Sequence, residues 1–287
     1  MTDASRNLNL RLPDGRNLSF SDIGTGENGT WIHCHGIPGS RNELLHLENT
    51  LLDAGVRVIV ADRAGYGQST PCPGYGFSHH SDDLRQLADH LQLNEFGISG
   101  FSGGGVFAMA AAHDLGNRIE QLVIAATPAV PLMENPYEYA SELTASTWRA
   151  ALEDREALAK ELEALTGSVD ELSEALMGAA GDQEEHYLSS DSVRPGFMQS
   201  LCAALEQGSI TAADALARDS FLIAYSWPFT PEAIQMPVRV VHGSGDKLVY
   251  RDHQLRLFSR FSDSTPEKIC SGHYGALSAI WDESSFA

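Results

Sequence analysis

The sequence predicts an α/β fold, in which a mostly parallel, twisted sheet is flanked by helices and carries an all-helical insertion. Strand-like and helix-like runs alternate through residues 7–130, and strands return after residue 230. This alternation is typical of a parallel sheet with helices on both faces. Residues 131–230 show only helical patterns. We therefore divide the chain into a core, residues 1–130 and 231–287, and a helical insertion, residues 131–230.

The core opens with a hairpin and continues as alternating strands and helices. Residues 7–24 alternate polar and apolar side chains around the Asp14-Gly15 turn, as two antiparallel strands do. The run Val-Arg-Val-Ile-Val within 56–62 is typical of a strand buried on both faces. Further strands are predicted at 30–36, 95–100, 121–130, 238–241 and 266–272, and helices at 41–55, 78–93 and 252–261.

The insertion is acidic and helical. Ser168, followed three residues later by Glu171, forms a capping-box pattern that predicts the start of a helix. Two more helices are predicted at 189–207 and 211–226. The run of charged residues around 153–163 is explained as a solvated helix face with pairs four residues apart, and it implies no function.

Composition argues against several classes of function. Acidic residues number 39 and basic residues 19, which gives a formal net charge of −20. Such a surface repels nucleic-acid phosphates and anionic lipid, so we expect no nucleic-acid partner. The N-terminus has no basic stretch followed by an apolar one, and no run of eighteen apolar residues occurs. We therefore expect a cytoplasmic protein without a membrane span.

The cysteine and histidine patterns predict reduced thiols and no metal site. The four cysteines lack CxxC spacing, and Cys34 and Cys270 lie in apolar, strand-like runs where buried thiols are common. The histidine-rich stretches 33–35 and 79–80 are better explained as core or loop histidines than as metal ligands. Nothing matches a dinucleotide or P-loop fingerprint, so no cofactor is expected.

Ser102 lies among glycines where a predicted strand ends and a helix begins. Residues 100–104, Gly-Phe-Ser-Gly-Gly, match the pattern G-x-S-x-G, in which a very tight turn thrusts the serine side chain into the open. A Cβ at Gly100 or Gly104 would strike the neighbouring strand or helix. The free N–H groups at the start of the following helix suit a negative oxygen. Ser102 is therefore the predicted nucleophile.

Two further motifs resemble segments of the α/β-hydrolase family, and with the serine turn they extend the resemblance over nearly the whole chain. Residues 35–39, His-Gly-Ile-Pro-Gly, resemble that family's HGxPG oxyanion loop. Residues 62–69 are similar to its DxxGxGxS segment. The resemblance implies that the backbone N–H groups of Ile37 and Gly103 form an oxyanion hole.

The same resemblance implies supporting roles for other parts of the chain. It implies that Asp62, Arg63 and Ser69 tie loops near the site and do not react. It also implies that residues 131–230 form a helical cap that covers the mouth of the site and lines the pocket.

A serine nucleophile needs a base and a third group that orients the base. In the α/β-hydrolase fold the order is Ser, then Asp or Glu, then His, each just beyond a strand. Asp246 follows the strand 238–241 and a glycine-rich turn, and His273 follows the last predicted strand. The predicted catalytic residues are Ser102, Asp246 and His273.

Other histidines and aspartates fit these two positions less well. His242 lies at the edge of a strand and His253 on a helix. Asp252 and Asp263 are explained by a helix cap and a surface turn. Pocket residues are predicted from their position beside the catalytic residues or from their aromatic character in the insertion; they are His35, Phe101, Trp148, Phe221, Tyr225 and Val249.

The predicted function is a serine carboxylesterase that cleaves a small or medium ester through an acyl-enzyme. Alternative substrates for the same three residues are a C–C bond beside a ketone, a lactone or an amide, and perhydrolysis is a further alternative. A catalytically silent binding protein is the alternative outside enzymes. The identity of the substrate and the choice between monomer and homodimer stay open.

Overall fold

A computed structural model of the protein describes residues 7–282 and contains one mixed sheet. Residues 1–6 and 283–287 lie outside this range. The predictions about a leader and about the two ends of the core therefore concern, in part, residues that are not described. Eight strands are described: β1 (Leu8–Arg11), β2 (Asn17–Gly24), β3 (Thr30–Cys34), β4 (Arg57–Ala61), β5 (Phe96–Phe101), β6 (Ile119–Ala125), β7 (Val238–Gly243) and β8 (Ser264–Ile269). Their order is β1-β2-β4-β3-β5-β6-β7-β8.

The sheet is parallel except at one edge. β1 pairs with β2, and β2 with β4, in antiparallel fashion, so the predicted opening hairpin is confirmed. From β4 to β8 every neighbouring pair is parallel. This arrangement confirms the predicted mostly parallel α/β sheet. It also gathers the carboxyl ends of β3, β5, β7 and β8 at one edge.

Helices surround the sheet and fill the stretch between β6 and β7. The core helices are α1 (Glu48–Asp53), α2 (Phe77–His90) and α3 (Gly103–Leu115) before the insertion, and α10 (Arg251–Phe258) and α11 (His273–Ala279) after it. The insertion contains α4 (Glu142–Glu153), α5 (Arg155–Leu165), α6 (Val169–Ala180), α7 (Asp182–Leu188), α8 (Arg194–Ala204) and α9 (Ser209–Ala224). We call α4 to α9 the helical segment.

The sheet separates two apolar layers because successive side chains of a strand point to opposite faces. In β4, Ile59 belongs to the layer beneath α2 and α3, whereas Val58 and Val60 belong to the opposite layer with Trp281. All four of these side chains are buried. The β-branched run of β4 therefore forms a central strand because each of its faces has an apolar partner.

Ser168 caps α6 as its pattern predicts. Its side chain accepts a hydrogen bond from the Glu171 N–H at 3.2 Å. None of the helices between residues 7 and 282 combines the length and hydropathy that a bilayer span requires.

Two local expectations differ from the structure. The helix predicted over 41–55 is shorter: residues 41–44 form turns and Leu45–Leu47 a 3-10 turn, and α1 begins only at Glu48. Cys34 is buried as predicted, and burial raises its pKa to about 12. Cys270 is exposed, because it follows β8 at the open edge of the sheet.

Candidate active site

Ser102 occupies the single position between β5 and α3. Its φ of +52° and ψ of −129° lie outside the regions that most side chains adopt. Two backbone hydrogen bonds hold it there: its N–H donates to Ala125 O of β6 at 2.8 Å, and its carbonyl accepts from the Gly105 N–H at 3.0 Å. The turn thus keeps a strained serine fixed at the edge of the sheet.

The glycines around Ser102 allow the helix to approach the strands closely. A Cβ on Gly100 would lie 2.5 Å from the Gly104 carbonyl oxygen. A Cβ on Gly104 would collide with the carbonyl oxygens of Cys34 and His35, which end β3 and begin the next loop. Only glycine fits at these positions, so the sequence pattern follows from the geometry of the turn.

Asp246 lies in the turn after β7, and both of its carboxylate oxygens accept hydrogen bonds. Oδ1 accepts hydrogen bonds from the N–H groups of Leu248 at 2.9 Å and Val249 at 3.0 Å. Oδ2 lies 2.8 Å from Nδ1 of His273, the first residue of α11. Because Nδ1 donates to this carboxylate, the other ring nitrogen, Nε2, is free to accept a proton.

The surroundings of His273 stabilise its charged form. Burial alone would lower the pKa of the imidazole, but the Asp246 carboxylate raises the pKa above its ordinary value. The His273 ring also packs against Phe101, with ring centroids 4.9 Å apart, and against Tyr274 at 5.5 Å. The histidine is thus oriented by one carboxylate and two aromatic rings.

Ser102 and His273 line the same pocket. Ile37 and Gly103 lie on its wall beside them. As the first residue of α3, Gly103 has an N–H with no partner inside its own helix. The opposite wall comes from the helical segment and is apolar, with leucines from α4, α5, α6 and α9: Leu143, Leu162, Leu165, Leu172, Leu176 and Leu216.

The buried side chain of Arg63 stabilises the 35–39 loop through hydrogen bonds to its backbone. The Arg63 guanidinium donates to the carbonyl oxygens of His35 at 2.5 Å and Gly36 at 2.8 Å. Its Nε donates to Asp219 Oδ2 of α9 at 2.7 Å. Burial would lower the pKa of this guanidinium, but the Asp219 carboxylate raises it, so Arg63 stays charged. The loop and the helical segment are therefore joined through one side chain.

A second polar chain supports the same loop. Glu43 Oε1 accepts from the Gly36 N–H at 2.8 Å, and its Oε2 lies 2.9 Å from His33 Nε2. His33 Nδ1 is in turn 2.9 Å from the Ser99 hydroxyl on β5. Glu43 and Asp219 are not among the residues that the sequence predicts for the site. Neither lies in a motif, and only their final burial distinguishes them from surface carboxylates.

Three of the six pocket residues proposed from sequence lie on the pocket wall: Phe101, Trp148 and Val249. His35, Phe221 and Tyr225 do not, so these three proposals are corrected. His35 faces away from the pocket, where its Nε2 accepts from the Arg63 N–H at 3.2 Å. Tyr225 is 56% exposed and stacks on Phe221 with ring centroids 5.1 Å apart.

The rival histidines and aspartates are placed elsewhere. His253 Nδ1 accepts from the Ala129 N–H at 2.9 Å, and burial lowers its pKa to about 4. His242 is buried in β7, and burial lowers its pKa as well. Asp252 is exposed in the first turn of α10. Within residues 7–282, no three histidine, cysteine or acidic side chains are arranged to hold a metal ion.

Comparison with known proteins agrees with this architecture. A family model described as alpha/beta hydrolase fold matches residues 32–278. The chain belongs to the alpha/beta hydrolase fold family. A non-heme chloroperoxidase from Kitasatospora aureofaciens is 25% identical to this alpha/beta hydrolase over 282 residues, with 93% of this chain and 91% of that protein covered.

Solved structures share the fold of this alpha/beta hydrolase. A thermophilic esterase from Thermogutta terrifontis superposes with a TM-score of 0.71 at 22% identity, covering 97% of this chain and 93% of the esterase chain. An enol-lactonase from Burkholderia xenovorans gives a TM-score of 0.69 at 16% identity, with 95% of each chain covered. At these identities the likeness concerns the fold.

Proposed function

We propose that this alpha/beta hydrolase is a serine carboxylesterase that cleaves small or medium, uncharged esters. The proposal rests on the pocket that Ser102 and His273 line together. His273 is hydrogen-bonded to Asp246, and leucine side chains form another part of the pocket wall. Polar groups on that wall are few and neutral, among them Thr144, Thr147 and Ser220. Such a wall favours an apolar acyl chain or alcohol, since none of the described residues that line it is a lysine or an arginine.

In the proposed mechanism, Ser102 Oγ attacks the carbonyl carbon of the ester while His273 Nε2 takes the serine proton. The N–H groups of Ile37 and Gly103 bind the oxygen that becomes negative. His273 then gives the proton to the leaving alcohol, and an acyl group stays on Ser102. A water molecule, activated by His273 in the same way, releases the acid. Asp246 keeps the imidazole oriented and stabilises its charged form throughout.

We also propose that residues 131–230 act as a cap over this site, and that residues 1–130 and 231–287 form the core. Support comes from the contribution of α4, α5, α6 and α9 to the pocket wall. A cap of this kind excludes water and sets the length of chain that the pocket accepts.

The test is hydrolysis of p-nitrophenyl esters from acetate to palmitate by the wild-type protein and Ser102→Ala. We expect the highest kcat/KM for an acyl chain of intermediate length, because the leucine wall encloses a limited space. We expect Ser102→Ala to lose at least about 10³-fold in kcat without unfolding. The mono-p-nitrophenyl ester of adipic acid, matched in length to hexanoate, supplies the charge control and should react poorly.

Three results would contradict the esterase proposal. One is undiminished hydrolysis by Ser102→Ala, since the reaction would then not use this serine. Another is the absence of ester hydrolysis in a folded protein whose Ser102 still reacts with an organophosphonate, which would favour a C–C bond or an amide. A protein that neither hydrolyses esters nor reacts with the phosphonate would be a binding protein.

A second candidate is perhydrolysis, favoured by the name of the Kitasatospora aureofaciens relative, a non-heme chloroperoxidase. Hydrogen peroxide would replace water in attacking the acyl-enzyme; the bond between the acyl carbon and Ser102 Oγ breaks, and a peracid leaves as Oγ regains its proton. Measuring peracid formation from short carboxylic acids and hydrogen peroxide tests this reaction. A Ser102-dependent peracid rate above the rate of ester hydrolysis would favour perhydrolysis, and the reverse would favour the esterase.

A further inference from the structure

Glu184 is a buried carboxylate that reaches from the helical segment to the histidine of the site. It lies on α7 with 1% of its surface exposed. Its Oε2 accepts a hydrogen bond from the Tyr274 N–H at 2.7 Å, one residue beyond His273. Burial raises the pKa of this carboxyl, whereas the Tyr274 N–H and the charge of His273 favour its ionised form.

The same carboxylate contacts the residue before His273. A Cβ on Gly272 would collide with Glu184 Oε1, so the carboxylate lies directly against the backbone there. His273 is thus held between a packing contact at Gly272 and a hydrogen bond at Tyr274. A second tie joins the same two helices, because the Tyr187 hydroxyl lies 2.5 Å from the Ser278 hydroxyl.

We propose that Glu184 is a positioning residue for His273. It fixes the backbone on both sides of the histidine, and its negative charge stabilises the imidazolium that forms when the proton leaves Ser102. This inference rests on the proposed role of His273 as the catalytic base. It also links the helical segment to the base itself, since a shift of α7 would move the histidine.

Several charged groups lie near His273 and Glu184. Asp246, Glu184 and Glu43 all favour the protonated form of His273, and the Asp246 carboxylate is hydrogen-bonded to its ring. Burial lowers the pKa of His242 on β7, and a protonated His273 in turn lowers it further. Glu184 itself is faced by His273 and Asp246, and by the neutral phenols of Tyr187 and Tyr274. Removing the charge of Glu184 alone should therefore weaken, but not abolish, the stabilisation of the imidazolium.

The experiment compares Glu184→Gln, Glu184→Ala and a matched control, Glu185→Gln. The glutamine keeps an acceptor for the Tyr274 N–H and removes the charge, whereas alanine removes both. Glu185 is the exposed neighbour on the same helix, so its variant changes the net charge equally. Two readouts are used: the pH dependence of kcat and KM, and an NMR titration of the His273 ring, assigned by its loss in His273→Ala.

We expect the NMR midpoint of His273 and the acidic limb of kcat/KM to move to lower pH in Glu184→Gln and to stay in place in Glu185→Gln. We expect Glu184→Ala to lose about 10- to 100-fold in kcat with little change in KM, because the base is misplaced. Glutamine should restore part of that loss.

An unchanged NMR titration of His273 in Glu184→Gln would overturn the proposal. A rise in KM without a loss of kcat in the Glu184 variants would also overturn it, because Glu184 would then only shape the pocket. If Glu184→Ala fails to fold, Glu184→Gln still decides the question. The NMR titration needs no substrate. It therefore tests Glu184 even if the protein hydrolyses no ester, and the two proposals can fail separately.

Discussion

Asp246→Asn is expected to lower kcat about 10⁴-fold while the protein stays folded. The asparagine has the size of the aspartate, and its amide oxygen can still accept from the N–H groups of Leu248 and Val249. Its NH₂ group would then face His273 Nδ1, where the carboxylate oxygen lies 2.8 Å away in the wild-type protein. The imidazole would carry its proton on Nε2, and that nitrogen could no longer accept the proton of Ser102.

The measurement is kcat for the best p-nitrophenyl ester, together with circular dichroism to show that the variant folds. Asp252→Asn is the matched control, because Asp252 is an exposed aspartate in the first turn of α10. It should keep wild-type activity. A value for Asp246→Asn within about tenfold of the wild type would mean that another group orients the base.

The site residues that the sequence predicts lie at positions set by the local geometry of strand ends and tight turns. Ser102 and its glycines depend on contacts between neighbouring elements, in which the position of each Cβ decides what fits. Five consecutive residues therefore carry the whole pattern. Asp246 and His273 follow from the same rule, because each stands just beyond a strand in a parallel sheet.

Contacts between distant segments explain what the sequence leaves hidden. Arg63 and Asp219 are 156 residues apart, and Glu184 and Tyr274 are 90 apart. Nothing in α7 or α9 indicates which side of the helix meets the core. Phe221 on α9 and Tyr225 just beyond its end show the same difficulty. The two rings stack on each other, and neither lines the pocket.

Replacement of Asp219 is expected to have the largest effect on the free energy of unfolding. Its Oδ2 accepts from Arg63 at 2.7 Å, and its Oδ1 accepts from Arg218 at 2.6 Å. All three side chains are buried. One carboxylate therefore compensates two guanidinium groups in a region that water does not reach, and the same carboxylate anchors the arginine that holds the 35–39 loop.

Asp219→Ala is expected to lower the free energy of unfolding by about 3–5 kcal/mol, because it leaves two buried guanidinium groups without a carboxylate counterion. Urea titration measures this loss. Asp214→Ala provides the control, since Asp214 is exposed on the same helix and its removal should leave stability nearly unchanged. Asp219→Asn, which keeps the volume but not the charge, should also be clearly destabilised. If the asparagine variant matched the wild type, packing and not charge would hold α9 to the loop, and the role assigned to this ion pair would be wrong.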